Sequence, residues 1–293
     1  MSKQHIAVIG GGFMGSGIAQ LAATTGHTVT LVERTEDDVT HALRNIDWSL
    51  NKLYSKELIT PSPESVMKRI TTDTRLSAAG DADLVFEAVP EIVEVKQDLF
   101  KALDACCKPD ACFASNTSTI PIRFLAEATN RPDKVVGTHF FFPVPINPLL
   151  ELIPSPATSA TTLTKFRTIC DEFGKFIVHV KKDVPGFIMN RVFGAMTCEA
   201  IRLVQDGVCG VEDVDKGLTT GYGMIQGPLA KADMAGLDVC LLAFSHVYEI
   251  DRNEALRPPE LLVKLVEEGH HGIKTGRGFY HYDSHGKPTG PAV

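Results

Sequence analysis

A glycine-rich turn near the N-terminus constrains the fold more than any other feature of this chain. The segment VIGGGFMGSGIAQ places Gly10, Gly12 and Gly15 in a Gly-x-Gly-x-x-Gly spacing. The apolar run at residues 5–10 predicts a buried strand, a helix rich in small residues follows the turn, and residues 27–33 predict the next strand. A strand–helix–strand unit of this kind predicts a parallel β-sheet.

The position of these glycines predicts a dinucleotide-binding site. In such turns the first glycine permits the sharp bend, the second lets the backbone approach a pyrophosphate, and the third allows the helix to pack closely on the strand. Free N–H groups at the helix N-terminus favour the anionic diphosphate. Phe13 and Met14 lie between the second and third glycines, and we include them in the predicted cofactor-binding segment.

Glu33, at the end of the second predicted strand, indicates NAD. It lies 18 residues beyond Gly15, where an acidic side chain suits the ribose hydroxyls and should repel a 2′-phosphate. Arg34 follows directly and keeps NADP open as a cofactor. FAD is served by the same fingerprint, and a glycine-rich turn without any ligand is the plain structural alternative.

The rest of the pattern divides the chain in two. Thr35-x-x-Asp38 predicts the N-cap of a long polar helix that runs to about Lys56. A further helix is predicted at residues 93–107, and further strands at residues 83–90, 111–115, 135–141, 149–153 and 176–180. From about Phe187 to residue 268 the pattern is helical, and PLAKADMAGLDVCLLAFSHVYEI is predicted as one helix. The glycine-rich ending is expected to be partly loose.

We therefore predict an α/β Rossmann-type N-terminal domain over residues 1–184 that binds NAD. An all-α C-terminal domain is predicted over residues 185–293. The boundary is placed at Val184-Pro185-Gly186, where the strand pattern stops.

Composition excludes several classes of function. The net charge of −7 argues against sequence-independent nucleic-acid binding, which needs a basic face. No apolar run is long enough to predict a membrane span, and the N-terminus enters a strand-like run without the pattern of a signal peptide. These features predict a cytoplasmic protein. The seven cysteines include no Cys-x-x-Cys pair, which predicts reduced thiols and no metal site.

Two polar residues interrupt the apolar segment VVGTHFFFPVPINPLLELIP. They are His139 and Glu151. A carboxylate inside an apolar strand is costly unless something pairs with it. Each residue therefore predicts a partner, although a lone histidine is more often a satisfied core residue and a lone glutamate can reach solvent from a strand end.

With these motifs in place, the chain resembles the 3-hydroxyacyl-CoA dehydrogenase family over nearly its whole length. The similar segments, in order, are VIGGGFMGSGIAQ, EAVPE, FASNTSTIPI, GTHFFFPVP, DVPGFIMNR, EAIRLV, GPLAKADMAGLDV and KTGRGFY. The resemblance implies a Rossmann domain, a helical domain that forms homodimers, and an active site in the cleft between the two.

The resemblance also implies the catalytic residues. His139 and Glu151 correspond to the family's catalytic pair: histidine is suited to take the alcohol proton, and a carboxylate beside it fixes the tautomer and stabilises the imidazolium. Ser118 corresponds to a serine that hydrogen-bonds the substrate oxygen, and Asn190 to an asparagine that polarises the substrate carbonyl. Without the resemblance, Ser118 would be an N-cap before TIPIRFLAEA and Asn190 a polar residue near a helix start.

Further contacts are implied in the same way. Glu91, Lys96, Ser118 and Lys274 match the family's cofactor contacts, in addition to the residues of the glycine turn and Glu33. Ser49 and Lys56, on the long polar helix, match its contacts to CoA, where a lysine suits the phosphates as a point charge. An exposed lysine on a polar helix is also common for structural reasons.

The chain departs from the family at one position of interest. Phe142 stands where the family usually has an asparagine beside the nicotinamide, and Asn147-Pro148 stands where a Met-Lys pair is common. A phenylalanine neither donates nor accepts a hydrogen bond, so the departure predicts a more apolar or differently shaped pocket and bears on the acyl group that is accepted.

Three functions follow as hypotheses. The first is NAD-dependent, reversible oxidation of an (S)-3-hydroxyacyl-CoA thioester. The second keeps this chemistry but acts on a free 3-hydroxy acid of the L-gulonate or carnitine type, whose enzymes LLELIPSPATS also resembles. The third is a crystallin-like or redox-sensing dinucleotide binder without turnover, against which the presence of Ser118, His139, Glu151 and Asn190 argues.

Overall fold

The computed structural model describes residues 3–293. The chain forms two compact units, and the second begins at Pro185. The predicted fold class is confirmed, because the first unit is built on a mainly parallel sheet and the second consists mainly of helices. The dimerisation and substrate-binding roles predicted for the second range stay predictions.

An eight-stranded sheet forms the centre of the first unit. Its strands lie in the order β3-β2-β1-β4-β5-β6-β7-β8, and all neighbours are parallel except β6 and β7, which are antiparallel. The strands are β1 His5–Ile9, β2 Thr28–Val32, β3 Ile70–Asp73, β4 Leu84–Glu87, β5 Cys112–Ser115, β6 Val135–Phe140, β7 Leu149–Pro154 and β8 Phe176–His179.

Six α-helices connect these strands. They are α1 Phe13–Thr24, α2 Glu36–Ser55, α3 Pro63–Met67, α4 Val93–Cys106, α5 Ile122–Ala126 and α6 Ala160–Glu172. The predicted cap of α2 is confirmed, since the Thr35 hydroxyl oxygen accepts a hydrogen bond from the Asp38 N–H at 3.1 Å. Strand β3 and helices α3 and α6 were not predicted from the sequence.

The strand order places the chemistry-bearing residues at one edge of the sheet. The order reverses between β1 and β4, and Ile9, Glu87 and Ser115 are in register at the carboxyl ends of β1, β4 and β5. In open parallel sheets, ligands bind outside the carboxyl ends of the strands at such a reversal. Beneath this edge the Phe86 ring packs edge-on against Phe166, with ring centroids 5.5 Å apart.

Five α-helices form most of the second unit. They are α7 Met189–Gln205, α8 Val211–Tyr222, α9 Pro228–Ala235, α10 Leu237–Asp251 and α11 Glu260–Glu267. The prediction of one helix over PLAKADMAGLDVCLLAFSHVYEI is wrong, because α9 and α10 are separate. Gly236 between them adopts φ +100° and ψ +120°, a conformation outside the helical region that favours glycine.

The expectation of a partly loose ending is also wrong. Strands β9 Tyr280–Tyr282 and β10 Pro288–Pro291 form an antiparallel hairpin. The Asp233 carboxylate on α9 accepts hydrogen bonds from the Phe279 and Tyr280 N–H groups and from the Tyr282 hydroxyl, at 2.9–3.0 Å. These bonds join the hairpin to the helical core, a long-range contact that glycine content does not reveal.

Within residues 3–293, no helix combines the length and apolar character needed to cross a membrane.

Candidate functional site

The glycine turn between β1 and α1 has the backbone of a nucleotide-binding loop. Gly10 adopts φ +91°, and a Cβ added there would lie 2.9 Å from the Ala88 carbonyl oxygen. A Cβ added at Gly15 would lie 1.7 Å from the Gly10 oxygen, so both glycines are required by packing. A Cβ at Gly12 would meet nothing within 4 Å. Its backbone therefore borders open space at the N-terminus of α1, which fits the close approach of a diphosphate.

Glu33 follows β2 and reaches back to this turn. One carboxylate oxygen accepts a hydrogen bond from the Gly11 N–H, and the other accepts from the Arg34 N–H at 3.3 Å. The structure thus brings the predicted ribose-binding acid to the glycine turn. An acidic side chain at this place suits the ribose hydroxyls and disfavours a 2′-phosphate.

A buried ionic network lies at the carboxyl end of β4. The Lys96 ammonium donates to Glu87 at 2.5 Å and to the Val89 carbonyl at 3.1 Å, and it lies 3.3 Å from Glu91. Burial raises the pKa of Glu87 despite the lysine. Burial alone would also raise the pKa of Glu91, but Lys96 and several hydrogen bonds outweigh it and lower that pKa. Glu91 is therefore held as a carboxylate.

Glu91 organises the turn that carries Ser118. Its Oε1 atom accepts hydrogen bonds from the Ser118 N–H at 2.8 Å, the Thr119 N–H at 3.0 Å and the Thr117 hydroxyl at 2.5 Å. Ser118 does not cap a helix, since α5 begins only at Ile122. The Asp183 carboxylate accepts hydrogen bonds from the first two N–H groups of that helix instead.

His139 and Glu151 form a buried pair across β6 and β7. They are direct partners in the antiparallel register of β6 and β7, and His139 Nδ1 lies 2.7 Å from Glu151 Oε2. Both are buried, at 6% and 0% exposure. A carboxylate that accepts at this contact requires the proton on Nδ1, which leaves Nε2 as the basic nitrogen of the ring. The Asn116 side chain accepts from the Phe140 N–H at 3.0 Å and so joins β5 to β6 beside the pair.

An apolar cleft of about 320 Å³ lies between α1, α2 and the segment after β6. Phe13, Trp48 and Phe142 line it although they are 64–77% exposed. The rings of Phe13 and Phe142 meet edge-on with centroids 6.2 Å apart. Ser49, the predicted CoA contact, lines the same cleft, so the departure at Phe142 and a predicted substrate residue share one surface.

The remaining predicted residues are placed as follows. Met14 is partly buried against the core of the first unit, and Lys56 is the C-cap residue of α2. Asn190 lies in the first turn of α7. The Lys274 ammonium donates to the Asp238 carboxylate at 2.6 Å within the second unit. None of these positions by itself assigns a role.

Glu87 and Thr117 belong to the site but were not predicted from the sequence. Glu87 is a carboxylate inside the apolar run DLVFEAVP, so the cost argument applied to Glu151 would have singled it out. Thr117 carries no such signal, because its role depends on Glu91, which lies 26 residues earlier in the chain.

Two family profiles match the chain, one in each unit. Residues 5–184 match the family profile described as 3-hydroxyacyl-CoA dehydrogenase, NAD binding domain. Residues 186–282 match the profile of the C-terminal domain of that family. The predicted cofactor, NAD, is confirmed by the first of these matches.

Similar proteins cover nearly the full chain. The human protein named hydroxyacyl-coenzyme A dehydrogenase, mitochondrial, is 42% identical over 95% of this chain and 91% of its own length. A probable 3-hydroxybutyryl-CoA dehydrogenase of Bacillus subtilis is 39% identical over 97% of this chain and 99% of its own. The crystal structure of (S)-3-hydroxybutyryl-CoA dehydrogenase from Ralstonia eutropha superposes with a TM-score of 0.92 at 36% identity, covering 97% of this chain and 100% of that one.

Proposed function

The chain belongs to the 3-hydroxyacyl-CoA dehydrogenase family, and from this premise we propose that it oxidises an (S)-3-hydroxyacyl-CoA to the 3-ketoacyl-CoA with NAD, reversibly. The observation that carries the proposal is the buried contact between His139 Nδ1 and Glu151 Oε2, 2.7 Å apart, at the same sheet edge as the nucleotide turn.

In the proposed reaction His139 handles the proton. NAD, when bound at the glycine turn, would supply the acceptor for the hydride of the alcohol carbon. His139 Nε2 takes the hydroxyl proton, and Glu151 stabilises the resulting imidazolium through Nδ1–H. In the reverse direction His139 returns the proton to the carbonyl oxygen. The carboxylate also keeps the ring in the tautomer that this exchange needs.

We propose that Ser118 and Asn190 bind the reacting oxygen. The assignment of Ser118 is supported by its position in a turn that the Glu91 carboxylate fixes through a hydrogen bond from the Ser118 N–H. Hydrogen-bond donors aimed at a developing negative charge stabilise the transition state. Lys274 and Glu91 are proposed cofactor contacts, and Lys96 would act mainly by holding Glu91 through their 3.3 Å contact.

A CoA thioester is the proposed substrate class. The human and Bacillus subtilis relatives carry names that specify CoA compounds. Ser49 on α2 lines the apolar cleft, and Lys56 is the C-cap residue of the same helix. These positions support both residues as CoA contacts. A lysine at the end of an exposed helix suits a CoA phosphate as a point charge.

A homodimer built on the second unit is proposed with this function. Several large apolar side chains there are exposed, and such surfaces commonly mark interfaces. They include Val192, Tyr222, Ile225, Met234, Val239 and Leu242. Sedimentation equilibrium of the full chain would give twice the monomer mass, and a monomer mass at micromolar concentration would contradict the assignment.

The substrate class is tested by NADH oxidation with three substrates in parallel: acetoacetyl-CoA, free acetoacetate and a longer 3-ketoacyl-CoA. Loss of nicotinamide absorbance with the thioesters alone is expected. Turnover of free acetoacetate alone would replace the thioester assignment with a free-acid one. NADH binding without turnover of any of them would support a non-catalytic dinucleotide binder.

A further inference from the structure

Lys175 is a buried lysine that the proposed reaction does not use. It lies directly before β8 and is 8% exposed. Its ammonium donates to the carbonyl oxygens of Val144 at 2.5 Å and Asn147 at 2.6 Å. Both acceptors belong to residues 141–148, the segment that connects β6 to β7.

The surroundings of this ammonium are unusual for a buried charge. Within residues 3–293 no carboxylate forms an ion pair with it. The positive charge is stabilised instead by hydrogen bonds to two backbone carbonyls and by the face of the Phe140 ring, 5.9 Å away. Burial lowers the pKa of Lys175 to about 8. The titratable group that acts on it is the Cys170 thiol of α6, whose own pKa is raised by burial, so that it stays neutral. A buried charge of this kind costs stability, and its presence calls for a reason.

The segment at residues 141–148, which Lys175 contacts, forms one wall of the apolar cleft. Val144 packs directly on α1 at Gly17, where an added Cβ would lie 2.7 Å from the Val144 Cβ. Phe142 meets Phe13 at the start of the same helix. The segment also joins the strand of His139 to the strand of Glu151. Its shape therefore bears on the cleft wall and on the residues that follow His139.

We propose that Lys175 is a positioning residue: by binding the Val144 and Asn147 carbonyls, it fixes the segment at residues 141–148 and with it the cleft wall that receives the substrate. The substrate part of this inference rests on the proposed function. The part that concerns the segment itself does not.

Protonation controls the strength of this contact. An ammonium makes charge-assisted hydrogen bonds, about twice as strong as those of a neutral amine. As pH rises through about 8, Lys175 loses its proton and the segment loosens. The folded-state pKa lies below that of an unfolded lysine, so the unfolded state binds more protons in this window and the free energy of unfolding rises with pH. A fall in turnover caused by deprotonation of Lys175 would therefore not result from unfolding of the protein.

The sole tryptophan reports on the segment directly. Trp48 lines the cleft opposite Phe142, Pro143 and Val144, so its emission depends on where this wall lies. The experiment titrates Trp48 emission from pH 6.5 to 9.5 in the wild type, Lys175→Met and Lys175→Arg. Lys181→Met, which removes an exposed lysine, is the matched control. NADH affinity and kcat/KM with acetoacetyl-CoA are measured for the same proteins.

The wild type and the Lys181 variant should show an emission change centred near pH 8 that both Lys175 variants lack. Lys175→Met should lower kcat/KM by about tenfold or more, because charge-assisted bonds are lost, with NADH affinity changed less than about twofold. Lys175→Arg should restore part of the lost kcat/KM and should retain this restored activity above pH 8.

Three results would overturn the proposal. One is an emission titration in Lys175→Arg that matches the wild type. Another is full kcat/KM in Lys175→Met. The third applies even if Lys175→Met does not fold: a wild-type emission that does not change between pH 7 and 9 is sufficient to reject the proposal. If the wild type turns over no thioester, the proposed function fails, while the emission titration still tests the contact.

Discussion

His139 and Glu151 face each other across β6 and β7 as direct register partners, with Nδ1 and Oε2 2.7 Å apart. Directly opposed residues on antiparallel strands hold their Cβ atoms about 5 Å apart. The backbone ladder therefore sets the distance between the two side chains before they interact. Burial of both then favours a hydrogen-bonded pair over either residue alone.

Removing either member of the pair should lower turnover while leaving cofactor binding intact. His139→Asn removes the proton acceptor, and Glu151→Gln removes the charge that stabilises the imidazolium. We expect kcat to fall by about 10²–10⁴-fold in each, as for general-base groups and their partners. NADH affinity, measured by fluorescence titration, should change less than about twofold.

His179→Asn, which removes an exposed histidine on β8, is the control and should keep wild-type turnover. The base assignment would be wrong if NADH affinity fell in parallel with kcat. Because the two residues act as a unit, the double variant should be little worse than His139→Asn.

Glu33→Ala should weaken the preference for NAD over NADP. The carboxylate at the glycine turn repels a 2′-phosphate, and its removal leaves Arg34 beside the same site. The ratio of kcat/KM values for the two cofactors should drop by about tenfold or more, which corresponds to about 1.4 kcal/mol. Arg34→Ala is the control and should leave the ratio unchanged or raise it. An unaltered preference in Glu33→Ala would remove Glu33 from the ribose site.

Phe142→Asn should shift the preference among acyl chains. It replaces an exposed ring of the cleft wall with a side chain that can hydrogen-bond. We expect kcat/KM for acetoacetyl-CoA to rise relative to that for a longer 3-ketoacyl-CoA. Phe176→Asn, which removes an exposed ring on β8, should leave the relative rates as they are. A fall with every substrate would show instead that the surrounding cleft is adapted to the ring.

Asp104→Asn should destabilise the first unit, most strongly at neutral pH. The Asp104 carboxylate on α4 accepts from Arg131 at 2.5 Å and from the Asn130 N–H at 2.7 Å. Burial alone would raise its pKa, but these bonds outweigh it and lower the pKa. An amide leaves at least one donor poorly served, so we expect a loss of about 1–3 kcal/mol in the free energy of unfolding at pH 7.

The pH dependence of that loss has a definite sign. A carboxyl whose folded-state pKa is lowered stabilises the fold above its ordinary pKa and loses this contribution as pH falls through the folded-state value. The gap between the wild type and Asp104→Asn in urea unfolding should therefore narrow below about pH 4. Asp98→Asn, at an exposed position of the same helix, should change stability by less than about 0.5 kcal/mol. A gap that widens as pH falls would contradict the assignment.

Features that depend on neighbours in the chain were predictable. The spacing of Gly10, Gly12 and Gly15 predicted the turn between β1 and α1, and Thr35 with Asp38 predicted the start of α2. His139 and Glu151 were singled out because a polar group in an apolar strand needs a partner. That they are each other's partner came from a family resemblance, since periodicity alone does not define a register.

Local sequence patterns were sufficient to predict the class of fold, the nucleotide turn and the polar residues that require explanation. Which atoms meet became known from the folded chain: Lys175 with two carbonyls about 30 residues earlier, Glu91 with the Ser118 turn, and Asp233 with the C-terminal hairpin. The difference follows from the range of the interactions. Strand and helix periodicities and capping act over a few residues, whereas the pairing of buried polar groups is decided by burial and geometry among residues far apart in the chain.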